Sequence, residues 1–200
     1  MGSHDNKNTV SFSLVAAVFT AVLLAAAAAG CTGAERQDGE KVVVAVTIPP
    51  EVEFVERVGG DHVRVILLVP PGADPHTYEP PPGTLADVAE ADMYAVVGSG
   101  IEFELAWREK IAALNPGMLV VDSSRGVELI AAGDGEGAGA DPHIWTSPKN
   151  AKTMVENIRD GLIAVDPANA ETYRQNADAY LGELDALDAE ITGALAASGV

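Results

Sequence analysis

Cysteine occurs once in the 200 residues, at Cys31, so neither an intrachain disulfide nor a cysteine-based zinc finger can form. Basic residues are scarce as well: 12 Lys and Arg against 30 Asp and Glu leave a formal charge of -18 at pH 7. That balance disfavours nucleic acid as a partner, because phosphates are neutralised by Lys and Arg. An acidic surface attracts cations, although solubility by itself accounts for such a charge. Catalytic signatures are missing too. There is no His-Glu-x-x-His helix and no Gly-x-Ser-x-Gly elbow. Gly98-Ser99-Gly100 lacks the spacing of a phosphate-binding loop and the Lys-Ser/Thr that would follow one. An enzyme is therefore not expected. A metallohydrolase would need an open coordination position and a base that no motif identifies.

What is present begins with an address. Residues 10–30 are almost entirely Val, Ala, Leu, Phe and Gly, and the run ends in Ala28-Ala29-Gly30 before Cys31. This resembles a lipoprotein signal, in which the cysteine becomes the lipidated first residue. It departs from the pattern in Ala28, where Leu is usual, and in having Lys7 offset by Asp5. An uncleaved N-terminal anchor is the alternative. Either way the domain is expected outside the cytoplasm, tethered to the membrane. Residues 31–40 are polar, with Gly33 and Gly39, and read as a flexible tether reaching about 15 Å.

The remainder is 48% hydrophobic over the whole chain, enough for a sizeable core. Apolar runs at 41–48, 62–69, 93–97 and 118–121 read as strands. Helical spacing separates them at 51–58, after Thr84 and at 103–114. Thr84 with Asp87 suggests a capping box. The alternation implies an α/β lobe built on a parallel four-stranded sheet with flanking helices. Ser147-Pro148 and Asp166-Pro167 mark the starts of two further helices. The second, over 166–198, steps its apolar residues by three or four from Tyr173 to Leu195. Thirty-odd residues would run roughly 45–50 Å, more than one lobe requires, so a strut to a second lobe is expected.

Two Asp-Pro-His tripeptides stand between regular elements, at Asp74-Pro75-His76 and Asp141-Pro142-His143. The loop 70–83 around the first holds six of the chain's twelve prolines, which stiffen it without secondary structure. Neutral imidazole suits zinc and also manganese, iron and copper. A ligand ring is usually oriented by a carboxylate on its other nitrogen, and Asp74, Glu79 and Asp141 stand near enough in sequence. Two histidines are not a closed site, since zinc takes about four ligands. His62, after Gly59-Gly60-Asp61, reads as a solvated turn residue. The insertion 133–140 is short and contains no histidine.

Several segments together resemble the metal-binding substrate-binding lipoproteins of ABC transporters that serve zinc and manganese uptake. They are residues 72–80 around His76, Ala89-Glu90-Ala91-Asp92 leading to Gly98-Ser99-Gly100-Ile101-Glu102, residues 141–148 around His143, and the helices over 149–196. The resemblance covers nearly all of residues 41–198. It implies two α/β lobes joined by one long helix, with a divalent metal between them. On it, 41–165 is the N-terminal metal-binding lobe, 166–198 the linker helix, and a second α/β lobe is expected but absent from this chain. His76 and His143 would be the two ligands of the first lobe, and a His or Glu and an Asp of the second would complete the set. The implied function is extracytoplasmic capture of Zn2+ or Mn2+ for an ABC permease and its ATPase, with Cys31 lipidated. Zinc is slightly favoured on imidazole chemistry. A surface adhesion module of the same fold is the second reading.

Overall fold

The computed structural model describes residues 39–131 and 140–199. The signal assigned to 1–30, Cys31 and the tether to residue 38, and residues 133–139 of the insertion lie outside the described residues. Four strands and five α-helices follow in the order β1 (Val42–Val46), α1 (Pro49–Gly59), β2 (Val63–Leu67), α2 (Pro82–Val88), β3 (Met93–Val96), α3 (Glu102–Leu114), β4 (Leu119–Asp122), α4 (Pro148–Val165) and α5 (Ala170–Ser198). Single 3-10 turns stand at Gly60–His62, Ile144–Thr146 and Pro167–Asn169.

All pairings are parallel, and the strand order is β2-β1-β3-β4. Central strands β1 and β3 are buried along almost their whole length, which is why both read as unbroken apolar runs. The chain leaves β1 toward β2 and then crosses back to β3, so the direction of winding reverses between β1 and β3. In open α/β sheets the crevice for ligands lies there, outside the carboxyl ends of the strands. Helices α1, α4 and α5 pack on one another, and α1 and α4 also lie on the sheet. Helices α2 and α3 pack together on β2 and β3. Gly161 permits the close approach of α4: a Cβ there would stand 2.6 Å from Val121 Cγ2 and 2.8 Å from Met93 Sδ.

Some boundaries differ from the sequence expectation. The first turn of α2 starts at Pro82 with Pro81 in the N-cap position, so Thr84 lies inside the helix and no Thr84–Asp87 capping box forms. Proline at the first helical position has φ already set and sacrifices no intrahelical donor. The last helix begins at Ala170, after the 3-10 turn. Buried Asp166 gathers that turn by accepting from Asn169 Nδ2 at 2.8 Å and from the Tyr173 hydroxyl at 2.5 Å. His62 is half-buried rather than solvated, with its ring edge-on to Tyr173 at 6.1 Å.

Helix α5 has 29 residues, about 44 Å at 1.5 Å per residue. Its first half is part of the lobe: Tyr173, Ala177, Tyr180 and Leu184 are buried against α1 and α4. Ion pairs Arg57–Glu183 and Lys152–Asp185 flank that contact. The same stripe then runs on uncovered through Leu187, Ile191 and Leu195, which are 40–51% exposed. No helix among the described residues is long and apolar enough to cross a membrane.

Candidate metal centre

The two Asp-Pro-His segments share one local hydrogen bond. Asp74 Oδ1 accepts the His76 N–H at 3.0 Å, and Asp141 Oδ1 accepts the His143 N–H at 2.9 Å. Proline between them donates nothing, so the next N–H is the one the aspartate can satisfy. This is an Asx turn. Each turn is closed on its far side by a threonine: Thr77 Oγ1 donates to Asp74 Oδ2 at 3.3 Å, and Thr146 Oγ1 to the His143 carbonyl at 2.7 Å.

The turns arrive at one place. His76 and His143 both line a cavity of about 200 Å3, with Ile48 beyond β1, Val69 and Pro70 beyond β2, and Ile101 and Glu102 beyond β3. This is the carboxyl end of the sheet at its winding reversal. Residues at the junction of β3 and α3 fasten both halves. Glu102 Oε2 meets His76 Nδ1 at 2.9 Å, and buried Ser99 donates from Oγ to the Pro142 carbonyl at 2.6 Å. Gly98 takes a φ of 76°, and a Cβ there would stand 2.0 Å from Asp122 Oδ1, so only glycine fits. The insertion before His143 is pinched at its base by an Ala131–Ala140 bridge and by the Asp141 N–H on the Ile130 carbonyl at 2.8 Å.

Each imidazole is thus held by a carboxylate at Nδ1, His76 by Glu102 and His143 by Asp141 at 2.8 Å. A carboxylate there favours the tautomer with its proton on Nδ1 and leaves the Nε2 lone pair for a metal. Both rings are more than half exposed, at 57% and 59%, so these pairs orient rather than stabilise. The two bonds that His143 gives, from backbone and ring, hold the Asp141 carboxyl below its ordinary range. The sequence reading placed Asp141 correctly. Asp74 serves the backbone of His76 but not its ring, and no hydrogen bond joins Glu79 to either histidine. Glu102, part of the recognised segment, was not assigned its role. No group of three or more His, Cys, Asp or Glu able to hold a metal occurs among the described residues.

Beneath the cavity lies a buried acidic layer with no signal in the sequence pattern. Glu51, in the first turn of α1, accepts the N–H groups of Thr47 at 3.0 Å and Ile48 at 3.3 Å. Glu104, in the first turn of α3, accepts Thr47 Oγ1 at 2.6 Å, Val97 N–H at 2.7 Å and Gly98 N–H at 2.9 Å. Tyr94 Oη lies 3.0 Å from Thr47 Oγ1. Burial, reinforced by the charge of Glu104, pushes the Glu51 carboxyl well above the usual carboxylate range. Burial also pushes Glu104 up, against the pull of its three donors.

Residues 44–199 match the family model described as the periplasmic component A of a zinc-uptake complex. The chain is 36% identical over 174 residues to the manganese-binding lipoprotein MntA of Halalkalibacterium halodurans, covering 85% of this chain and 56% of that one. It is 33% identical over 189 residues to the zinc-binding lipoprotein AdcA of Streptococcus pneumoniae, covering 88% of this chain and 36% of that one. Among solved structures, a zinc-bound ZnuA deletion mutant superposes with a TM-score of 0.71 at 42% identity, over 76% of this chain and 57% of that one. The chain thus spans little more than half the length of such relatives, or less.

Proposed function

The chain belongs to the zinc-uptake component A family, and from that premise we propose that it captures a divalent transition metal outside the cytoplasm for an ABC importer. His76 and His143 are the metal-binding residues this lobe supplies. One observation carries the reading: two Asp-Pro-His turns, 67 residues apart in sequence, bring their imidazoles to one cavity at the carboxyl end of the sheet, each with Nδ1 already engaged by a carboxylate. That arrangement offers two oriented nitrogen donors.

Two neutral donors suit Zn2+ and are acceptable to Mn2+. The names of relatives include both metals, so the remaining ligands decide the choice. In this reading a second lobe supplies those ligands, residues 41–165 are the first metal-binding lobe, and the long helix carries the chain between the two. An ABC permease and its ATPase are the partners. Lipidated Cys31 and the tether to residue 40 keep the lobe at the outer face of the cytoplasmic membrane.

The test is a titration of Zn2+ and Mn2+ into the full-length gene product and into a His76→Ala/His143→Ala variant. Stoichiometric binding by the first and its loss in the second are expected. Equal metal uptake by both proteins would refute the assignment.

A further inference from the structure

Glu51 and Glu104 have no hydrogen bond to either histidine, yet they bind the backbone at the strand ends beside the cavity. Glu51 holds the backbone of Ile48, and Glu104 holds the backbone of Val97 and Gly98. Ile48 lines the cavity, as does Glu102, two residues before Glu104 on the first turn of α3.

The two carboxylates are solvated differently by the protein. Glu104 receives three donors spread over both oxygens. Glu51 receives two, both at Oε2, while its buried Oε1 and the buried Ser123 hydroxyl, which also acts on this carboxyl, are otherwise unpartnered. The hydroxyl of Thr47 has one proton, given to Glu104 at 2.6 Å, so the Tyr94 hydroxyl at 3.0 Å is the donor to Thr47. Two like charges in one buried layer are strongly disfavoured. The three donors fixed on Glu104 place the charge there and the proton on Glu51, at Oε1, with the Ser123 hydroxyl as its acceptor. Glu104 also sits third in α3, where the helix dipole favours a negative group.

We propose that Glu104 is a positioning residue for His76: its carboxylate fastens the first turn of α3 to the ends of β1 and β3, and so delivers Glu102 to Nδ1 of His76, with Glu51 as a neutral partner. This rests on the reading of His76 as a metal-binding residue. His143 depends on Glu104 less, because its carboxylate belongs to its own turn and its tie to this region is the Ser99 bond to the Pro142 carbonyl.

The variants that separate these roles are Glu104→Gln and Glu51→Gln. Glutamine at 104 turns one acceptor into an amide that faces backbone donors. At 51 it reproduces a neutral acid, with carbonyl oxygen toward Thr47 and Ile48. The readout is the imidazole 15N spectrum of the metal-free protein at neutral pH, followed by zinc titration. Glu104→Gln is expected to move the His76 ring resonances toward those of Glu102→Ala, to move those of His143 less and to weaken zinc binding about tenfold. Glu51→Gln is expected to leave both rings unchanged and zinc affinity within about twofold. Should Glu104→Gln not fold, Thr47→Val removes one of the three donors and must give a smaller shift of the same kind, again larger at His76 than at His143. An unmoved His76 in a folded variant, equal disturbance of both rings, or equal effects at 51 and 104 would each overturn the proposal. The imidazole readout needs no metal, so it fails or succeeds separately from the assignment of His76 and His143 as ligands, which the alanine variants decide.

Discussion

The two Asp-Pro-His turns have the same backbone hydrogen bond and differ in where each ring finds its carboxylate. His143 uses Asp141, the residue that also forms its turn, so one oxygen serves backbone and ring together. His76 divides the work: Asp74 holds its backbone, while Glu102, on another helix, holds its ring. The first arrangement is local and survives movement of its surroundings. The second is tertiary and depends on how α3 is seated. A site with one self-contained half and one assembled half ties its readiness for metal to the integrity of the sheet ends.

The largest effects should come from removing either ring. His76→Ala and His143→Ala are each expected to weaken zinc binding beyond the ten- to hundredfold span of supporting carboxylates, by calorimetric titration. A variant that kept parent affinity would remove that residue from the comparison. Next come the carboxylates themselves. Asp141→Ala loses turn and ring anchor at once and should fall near a hundredfold, whereas Glu102→Ala loses only the ring anchor and should fall near tenfold. The reverse order would show that the local half is not the self-contained one.

Ser99→Ala should be smaller still. It removes the buried bond to the Pro142 carbonyl, worth about 1 kcal/mol of stability, and backbone amide shifts should concentrate in the turn of His143 rather than that of His76. Equal shifts in both turns would blur the distinction. The smallest expected effect concerns the layer beneath. The Glu51 carboxyl is raised in the folded state above its ordinary value of 4.5. Between the unfolded and folded values the folded state binds more protons, so stability falls with rising pH. Its contribution is complete below about pH 4.5 and is lost as pH rises through the folded value. Glu51→Gln should flatten that decline in denaturation measurements above pH 4.5. An unchanged slope would argue against a protonated Glu51.

The legible features share a property: each carries a local signal in the sequence. The buried strands β1 and β3 show as apolar runs, Ser147-Pro148 marks the start of α4, and Asp141, one of three carboxylates near the histidines in sequence, lies two residues from the ring it holds. Glu102 lies 26 residues from His76, and only the fold brings them together. Glu51 and Glu104 were hidden for another reason. A glutamate in a first helical turn is ordinarily an exposed residue favoured by the helix dipole, and nothing local says that these two face inward beneath a cavity. The start of α5 was misplaced because Asp166-Pro167 opens a 3-10 turn instead of the helix itself.

The central claim is that the two turns act on one metal. Imidazole 15N resonances of both histidines, followed while one equivalent of Zn2+ is added to the full-length protein, test it most directly. The account predicts that the Nε2 signals of His76 and His143 shift together and saturate at the same stoichiometry, with Nδ1 remaining protonated on both rings. A shift at one ring alone, or at two different stoichiometries, would contradict it.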